Sequence, residues 1–435
     1  MLEIRNLKYR SRLNREGGRS RIAVAAAIAT AIGLVMSTSL VNTSAAPKPK
    51  ALSKATIDFY MGPYASTTDG AMKKIINSFQ KANPNVKVRY QTAPWDTYDS
   101  KMSTAAKAGD GPGLAMQYTY GKYVADGLLS PIKDWVSPAA MKDIIPVFVN
   151  PKEKWVIPDL ASVRGVFHNT AIATTAGVTS TPQTFDALKA AALKIKASNP
   201  GITPVGFVST GDDVGASFSY YLFGAGGEWI DNEGNFLVDS TASIAALTFL
   251  KDLYDNKLLE QDVTANRGAQ EERFQAGQTA ILPTGNFFVN TLKTNVPNLK
   301  YKVGALPRQS GVKPFGVGVT DYFVSFKQGN KAQTAASTAL LDHLLKPSNY
   351  VAWLAADGFL PVTKSALEPY RKAAPDMAPF LDNLTAAKFY PSADVRWAKV
   401  VSIMSESVQN VFLGRTSVAE GLKSAQKQID ALPKE

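Results

Sequence analysis

A chain of 435 residues is too long for one compact core, so its length predicts two domains or one two-lobed body. It has 45% hydrophobic and 19% charged residues and a net charge of +12, but residues 1–46 hold seven Lys or Arg against two acidic residues, which leaves +7 for the rest. The chain has no cysteine and two histidines, which excludes disulfides, thiolate metal sites and cysteine nucleophiles and disfavours a zinc site.

Residues 1–46 have the three parts of a secretory signal peptide. A basic region through Arg21 precedes the apolar run IAVAAAIATAIGLVMSTSLV, and TSAAPKPKA then offers small residues for cleavage after Ala45 or Ala46. The apolar run is also about long enough to span a bilayer, so an uncleaved membrane anchor is the alternative. No cysteine follows it, which excludes a lipid anchor on cysteine. We therefore predict an extracytoplasmic, surface-associated protein, with 47–54 as a disordered leader.

From Ala55 the chain alternates between strand-like and helical patterns. ATIDFYMG predicts a first strand, DGAMKKIINSFQKANP a helix that ends at Asn83-Pro84, and NVKVRYQT a second strand. DTYDSKMSTAAKAGDG is again helical, and LAMQYTY predicts a short third strand. This alternation is typical of a doubly wound α/β sheet.

The pattern begins again near residue 154. KWVIPDLASVRGVFHN predicts two strands broken at Pro158, and Thr184 is the predicted N-cap of the helix in FDALKAAALKIKAS. A hairpin at Asn232-Glu233-Gly234, a helix in SIAALTFLKDLYDNKLL and strands in FQAGQTAILPTGNFF, YKVGALP and GVGVTDYFVSF follow. From Lys331 onward the chain is mainly helical. We infer a second α/β lobe.

The sequence carries none of the common catalytic motifs. It has no Walker loop, no Gly-x-Ser-x-Gly elbow and no His-Glu-x-x-His helix. The acidic pairs Asp212-Asp213 and Glu271-Glu272 are of the type that a glycoside hydrolase needs, but adjacent residues point apart, so we interpret Glu271-Glu272 as a solvated face. Basic residues beyond the first 46 are dispersed, which argues against a nucleic-acid surface.

Aromatic residues follow the predicted ends of four strands. Loops at the carboxyl ends of strands in a doubly wound sheet line one crevice, where flat rings can stack on a sugar while Asn, Gln or Asp bind its hydroxyls. The alternative for each ring is a place in the core. The rings are Tyr60 and Tyr64 after the first strand, Trp95 after the second, Tyr118 and Tyr120 at the third, and Phe287 and Phe288 after the buried strand at Ala280.

Eight segments in a fixed order carry a family resemblance that covers nearly everything from Ala55 to Pro433. They are FQKANPNVKVRY, AAKAGDGPG, YVADGLLSPI, WVIPDLASVRGVFHNTAIATTAGVTSTPQTFDAL, GAGGEWIDNEGN, FQAGQTAILPTGNF, GFLPVTKSA and GRTSVAEGLKSAQKQI. Together they resemble the extracellular solute-binding proteins of ABC-type sugar importers, the family 1 group that includes maltose-binding protein. Gly113 stands where this family commonly has Asp, and the family's lipid-bearing cysteine is missing.

The resemblance implies a two-lobed periplasmic-binding-protein fold, in which each lobe is a doubly wound sheet flanked by helices and crossing segments form a hinge. The first lobe comprises 55–162 and 320–365, and the second 163–319 and 366–435. The protein is then expected to be a monomeric receptor, not an enzyme, without cofactor or metal. It would capture a mono- or oligosaccharide in the cleft and deliver it to the membrane subunits of an ABC permease.

Two alternatives remain open from the sequence. One is a receptor of the same fold for a non-sugar solute, such as a polyamine or an organic acid. The other is a secreted carbohydrate-active enzyme. The aromatic residues at the strand ends, with few acidic residues among them, argue against a cationic ligand.

The resemblance also implies ligand-binding positions. Phe287 matches the family's stacking aromatic after the buried strand, Trp397 matches a second ring, and Tyr390 lies in the loop before it. Asp213 falls near a polar position of the second lobe, with a helix N-cap as the alternative. Arg396 is placed to bind a sugar hydroxyl or an acidic sugar, with a surface ion pair as the alternative. The first-lobe positions in loops that reach the ligand are Tyr64, Trp95, Gln117, Tyr118 and Tyr120.

Overall fold

The computed structural model describes residues 51–149, 153–211 and 213–434. The predicted signal peptide and the first residues of the predicted leader, 47–50, lie outside this part. Within it, no helix is long and apolar enough to cross a membrane. Leu52, in the predicted leader, is half-buried, and its carbonyl accepts a hydrogen bond from the Asn85 amide at 3.0 Å. This end of the leader therefore packs on the body that follows it.

The strands of the described residues form one mixed sheet. They pair in the order β2-β1-β3-β8-β4-β6-β5, with β7 added to β4 and β9 to β8, and their bounds are β1 (Ala55–Met61), β2 (Val86–Thr92), β3 (Leu114–Gln117), β4 (Val156–Asn169), β5 (Thr203–Val205), β6 (Thr279–Gly285), β7 (Tyr301–Gly304), β8 (Gly316–Val324) and β9 (Ala387–Phe389). β1 is parallel to β2 and β3, and β5 to β6, whereas β8 is antiparallel to β3 and β4.

Helices connect these strands, so the architecture is the predicted α/β one. Their bounds are α1 (Thr68–Ala82), α2 (Trp95–Lys107), α3 (Gly121–Ala125), α4 (Ile132–Trp135), α5 (Pro138–Asp143), α6 (Thr170–Thr175), α7 (Phe185–Ser198), α8 (Asp213–Gly224), α9 (Thr241–Asp255), α10 (Arg267–Gln275), α11 (Phe288–Asn295), α12 (Lys331–Leu344), α13 (Pro347–Asp357), α14 (Lys364–Ala373), α15 (Ala378–Leu384), α16 (Trp397–Phe412) and α17 (Val418–Asp430).

Helix α7 shows how local sequence sets an element. The Thr184 hydroxyl accepts a hydrogen bond from the Ala187 N–H at 3.1 Å, as the predicted N-cap requires. Phe185, Leu188 and Ile195 are buried at helical spacing, so one face of the helix packs on the core. The prediction of this helix and its cap is confirmed.

Strand β4 joins the two parts of the sheet. Its residues 156–163 pair with β8, its residues 164–168 pair with β6, and all 14 of its residues are buried. The prediction of two strands broken at Pro158 is wrong, because the pairing register shifts between Pro158 and Leu160 and the strand continues. Such a bulge is one of the places where a sheet tolerates a residue without an N–H.

Two clusters of buried apolar side chains pack on this sheet. The first draws on 55–163, Phe167 and 323–387, the second on most of 166–265, on 306–317 and on 397–429, and residues 274–292 contribute to both. Among the places where the chain changes cluster are β4, β8, and the segment between Ala387 and Trp397. The first two changes fall in the strands that hold the predicted lobe boundaries, and the third lies beyond 365/366. The lobe boundaries themselves stay a prediction.

Candidate functional site

A cavity of about 610 Å³, which we call the main cleft, opens beside the strands that link the two clusters. The parallel strands β1 and β2 end at the same edge of the sheet, so the chain after each of them reaches this place. Tyr64 comes from the loop after β1 and Trp95 from the start of α2. Arg164 of β4, Asp321 of β8 and Phe287 after β6 line other parts of the wall.

Four aromatic rings form a continuous row along the main cleft. The Trp95 and Tyr64 ring centroids are 5.4 Å apart, those of Tyr64 and Phe359 are 5.1 Å apart, and those of Phe359 and Phe287 are 6.0 Å apart. Trp95 is 40% exposed, so part of its indole stays open to a ligand. A Cβ at Gly62 would overlap the Trp95 ring, which shows how closely that ring lies on the backbone. Such a row provides apolar surface of the kind that sugar rings stack on.

Phe287 lies where β6 turns into α11, and two cations pack on its ring. The guanidinium carbons of Arg164 and Arg267 lie 5.3 and 4.9 Å from the ring centroid. Gly285 makes this possible, because a Cβ there would overlap both the Phe287 ring and the Arg164 guanidinium. The ring therefore holds two charged groups at the wall of the cleft. Its predicted role in stacking on a sugar stays a prediction.

The Arg267 guanidinium is balanced by two carboxylates. Its Nε lies 3.2 Å from Asp213, at the start of α8, and its Nη1 lies 3.5 Å from Glu271. Glu271 also accepts a hydrogen bond from the Thr284 hydroxyl at 2.7 Å. Burial raises the pKa of Glu271, which Arg267 partly offsets. The interpretation of Glu271 as part of a solvated face is wrong, because this side chain lines the main cleft; Glu272 beside it is exposed.

Asp321, which lines the main cleft, and the buried Asp159 form a pair of carboxyl groups on the strands that link the two clusters. The Tyr64 hydroxyl donates to Asp321 at 2.6 Å and lies 3.2 Å from Asp159, but it has one proton to give. Asp159 is buried, and its Oδ1 has no partner among the described residues. Burial raises the pKa of Asp321 to about 6, and burial together with the Asp321 charge raises the pKa of Asp159 well above its ordinary value.

The raised pKa of Asp321 predicts that the folded protein becomes less stable as the pH rises from about 4 to 6. Because the folded protein holds the Asp321 proton up to about pH 6 and the unfolded chain releases it near pH 4, the folded state binds more protons across that window. We expect Asp321→Asn, which keeps an acceptor for Tyr64, to flatten the fall in melting temperature between pH 4 and 6. Melting curves from pH 4 to 8 measure this. The exposed control Asp134→Asn should keep the wild-type slope; equal slopes for wild type and Asp321→Asn would contradict the prediction.

Tyr120 and Tyr390, two of the predicted ligand-binding residues, line a second cavity of about 310 Å³. It lies on the reverse side of β4 and β8, and we call it the reverse cavity. Side chains of a strand alternate between its faces, so Asp321 lines the main cleft while Tyr322 lines this reverse cavity. Tyr120 is buried there, with its hydroxyl 2.5 Å from a Glu153 carboxylate oxygen. Tyr390 also lines the reverse cavity.

Trp397 and Arg396 line a third cavity, at the start of α16. Trp397 is 7% exposed and packs in the second cluster, stacked on Tyr390 with the centroids 5.1 Å apart. Arg396 is buried, donates to Asp394 at 2.7 and 2.9 Å, and donates to the Gly234 carbonyl at 2.8 Å. The structure thus places these two side chains apart from the row of Trp95 and its neighbours, in contacts that already occupy them.

The remaining predicted residues of the first lobe lie at the end of β3. Gln117 is fully buried, and both polar atoms of its side chain lack a partner among the described residues. The Tyr118 ring lies edge-on to Trp95, with the centroids 6.0 Å apart. Tyr118 therefore extends the aromatic row.

Several side chains of the main cleft were missed by sequence reasoning. Arg164 had a signal, since it is a charged residue inside a strand that is otherwise nearly apolar. Phe359 had a weaker one, because it follows Gly358, which adopts the left-handed conformation with φ of 81°. Arg267 and Asp321 had no signal in the sequence, because their roles depend on partners distant in sequence. No group of three or more His, Asp or Glu side chains in the described residues is arranged to hold a metal ion.

The structure thus combines an α/β body with an aromatic-lined polar cleft whose carboxylates are engaged by Arg, Tyr and Thr. The chain belongs to the bacterial extracellular solute-binding protein family, whose pattern matches residues 64–351. It is a solute-binding protein of the ABC-transport class, and the family consists of receptors without enzymatic activity. The alternative of a secreted carbohydrate-active enzyme is therefore wrong.

Relatives of known name or structure agree with this family. A binding protein of Brucella abortus (strain 2308) is 27% identical over 381 residues, covering 85% of this chain and 92% of the relative. The cyclic alpha-maltosyl-1,6-maltose binding protein of Arthrobacter globiformis is 18% identical, with a TM-score of 0.76 over 87% of this chain and 98% of that one. The GacH receptor of Streptomyces glaucescens, whose structure includes an acarbose complex, is 20% identical, with a TM-score of 0.73 over 86% and 97%. The two structures show the shared fold, and the predicted periplasmic-binding-protein fold is confirmed.

Proposed function

We propose that this protein captures a carbohydrate in the main cleft and delivers it to the membrane subunits of an ABC permease. The observation that carries the proposal is the row of Trp95, Tyr64, Phe359 and Phe287 beside hydrogen-bonding groups in one cavity of about 610 Å³. Apolar sugar faces stack on such rings, while polar neighbours bind the hydroxyls. The carbohydrate ligands named for the Arthrobacter and Streptomyces proteins support the same ligand class.

The remaining parts of the proposal come from the family and the N-terminal sequence. The receptor acts as a monomer outside the cytoplasm, and residues 1–46 direct its export and either leave it free or anchor it. Of the ligand-binding positions predicted from the sequence, the main cleft and its aromatic row support Tyr64, Trp95, Tyr118 and Phe287.

A thermal-shift screen against mono- and oligosaccharides tests this function. A ligand present at 100 times its Kd should stabilise the folded protein by about 2.7 kcal/mol, which is several degrees in melting temperature. Polyamines and organic acids form the comparison set. Stabilisation by a member of that set, with none from any sugar, would favour the receptor for a non-sugar solute.

Replacing the most exposed ring of the row should weaken binding of the best sugar. We expect Trp95→Ala to raise its Kd about tenfold, because one stacking face is lost, and Trp95→Phe to restore part of that loss. Isothermal titration calorimetry gives the Kd values. The control Trp155→Ala removes a half-buried indole that does not line the main cleft, and it should leave the Kd unchanged. An unchanged Kd for Trp95→Ala would remove this ring from the site.

A further inference from the structure

One cation of the main cleft has no carboxylate within ion-pair distance among the described residues, although the charges of Asp321 and Glu271 act on it from farther away. Arg164 is 8% exposed, lines the cavity, and its Nε and Nη1 have no hydrogen-bond partner among the described residues. It lies in β4 opposite Gly285 of β6, and the missing side chain of that glycine leaves room for its guanidinium. The guanidinium thus packs beside Gly285 and on the Phe287 ring at the cavity wall.

The other charged groups of the cleft are already engaged. Arg267 pairs with Asp213 and Glu271. The Asp357 carboxylate accepts hydrogen bonds from Thr68 at 2.6 Å and from the Trp353 indole at 2.8 Å.

Asp321 accepts from Tyr64, and no carboxylate among the described residues lies within 4.0 Å of the Arg164 guanidinium. Removing a guanidinium from water without a partner costs several kcal/mol, and a bound anion recovers part of that cost. The planar fork of Arg fits a carboxylate through two parallel hydrogen bonds, which a neutral hydroxyl cannot reproduce.

We propose that the main cleft takes an acidic sugar, a hexuronic acid or an oligosaccharide that contains one, with its carboxylate on Arg164. This inference rests on the proposed carbohydrate function and narrows its ligand class. The pyranose ring stacks on the row that begins at Trp95, and the Arg164 guanidinium donates to the carboxylate oxygens. The neighbouring Arg267 adds positive potential but keeps its own carboxylate partners.

Calorimetry with matched acidic and neutral sugars on the full-length protein tests the proposal. Glucuronate, galacturonate and digalacturonate are compared with glucose, galactose and galactobiose. We expect at least one acidic sugar to bind about 100-fold more tightly than its neutral counterpart, the range for a buried charge pair. In Arg164→Gln this ratio should fall towards one. Arg415→Gln, whose guanidinium contacts Asn410 outside the cleft, should keep the wild-type ratio.

The outcomes separate this inference from the function on which it rests. Neutral sugars that bind as tightly as acidic ones would overturn the acidic ligand and leave the carbohydrate function intact. An acidic preference that survives in Arg164→Gln, with circular dichroism showing a folded protein, would overturn the role of Arg164. Binding of succinate or citrate with no sugar of either kind would overturn both the inference and the proposed function.

Discussion

Asn286→Ala is expected to lower the free energy of unfolding by about 3 kcal/mol, because two buried backbone groups lose their partner. Asn286 is fully buried between β6 and α11. Its Oδ1 accepts from the Val163 N–H at 2.8 Å, and its Nδ2 donates to the Gly358 carbonyl at 2.6 Å. One amide thus ties the middle of β4 to the turn that precedes Phe359.

Urea unfolding followed by circular dichroism measures this loss. The control Asn295→Ala removes an exposed amide at the end of α11, which donates to Gln275, and should change stability by less than about 0.5 kcal/mol. Similar unfolding midpoints for the two variants would show that the Asn286 bonds contribute no more than a surface contact. A lower m-value would instead point to a change in the unfolded or native ensemble.

Gly285→Ala is expected to raise the Kd of the best sugar ligand about 50-fold, more than the loss of a single ring. The new methyl group would overlap the Phe287 ring and the Arg164 guanidinium, so both must leave their places in the cleft wall. Because each is the mobile end of a side chain, we expect a smaller effect on stability than on binding. Calorimetry and melting curves on the same preparation separate the two effects.

Gly268→Ala in α10 is the matched control. The nearest atom to a Cβ at that position is the Asn266 Oδ1 at 3.5 Å, an ordinary contact, and alanine favours a helix. We expect an unchanged Kd and equal or slightly higher stability. If Gly285→Ala behaved like this control, the close packing of Phe287 and Arg164 on Gly285 would be irrelevant to ligand binding.

Much of the fold follows from local sequence. The Thr184 cap, the helical spacing after it and the alternation of strands and helices are properties of short segments, and the structure confirms them. The continuity of β4 past Pro158 depends on the partner strand β8, which offers a shifted register there. A partner so distant in sequence cannot be seen in a pattern of short segments.

The candidate site was accessible to sequence reasoning only in part. Strand ends located Tyr64 and Trp95, because parallel strands of one sheet place their carboxyl ends together. Trp397 matched a family position, yet in the structure its ring packs in the second cluster, since the first turns of α16 present it on the same buried face as Val400 and Val401. Arg164 was missed, because the lack of a hydrogen-bond partner for its Nε and Nη1 among the described residues depends on segments distant in sequence.

Because side chains alternate along β8, a substitution in this strand affects either the main cleft or the reverse cavity, but not both. Val319 and Asp321 meet whatever fills the main cleft, whereas Thr320 and Tyr322 meet the cavity behind it. Substitutions at alternate positions of β8 can therefore change which ligand the main cleft prefers, while the residues of the reverse cavity stay the same. A protein family with such a strand can acquire a new ligand preference without a change in its fold.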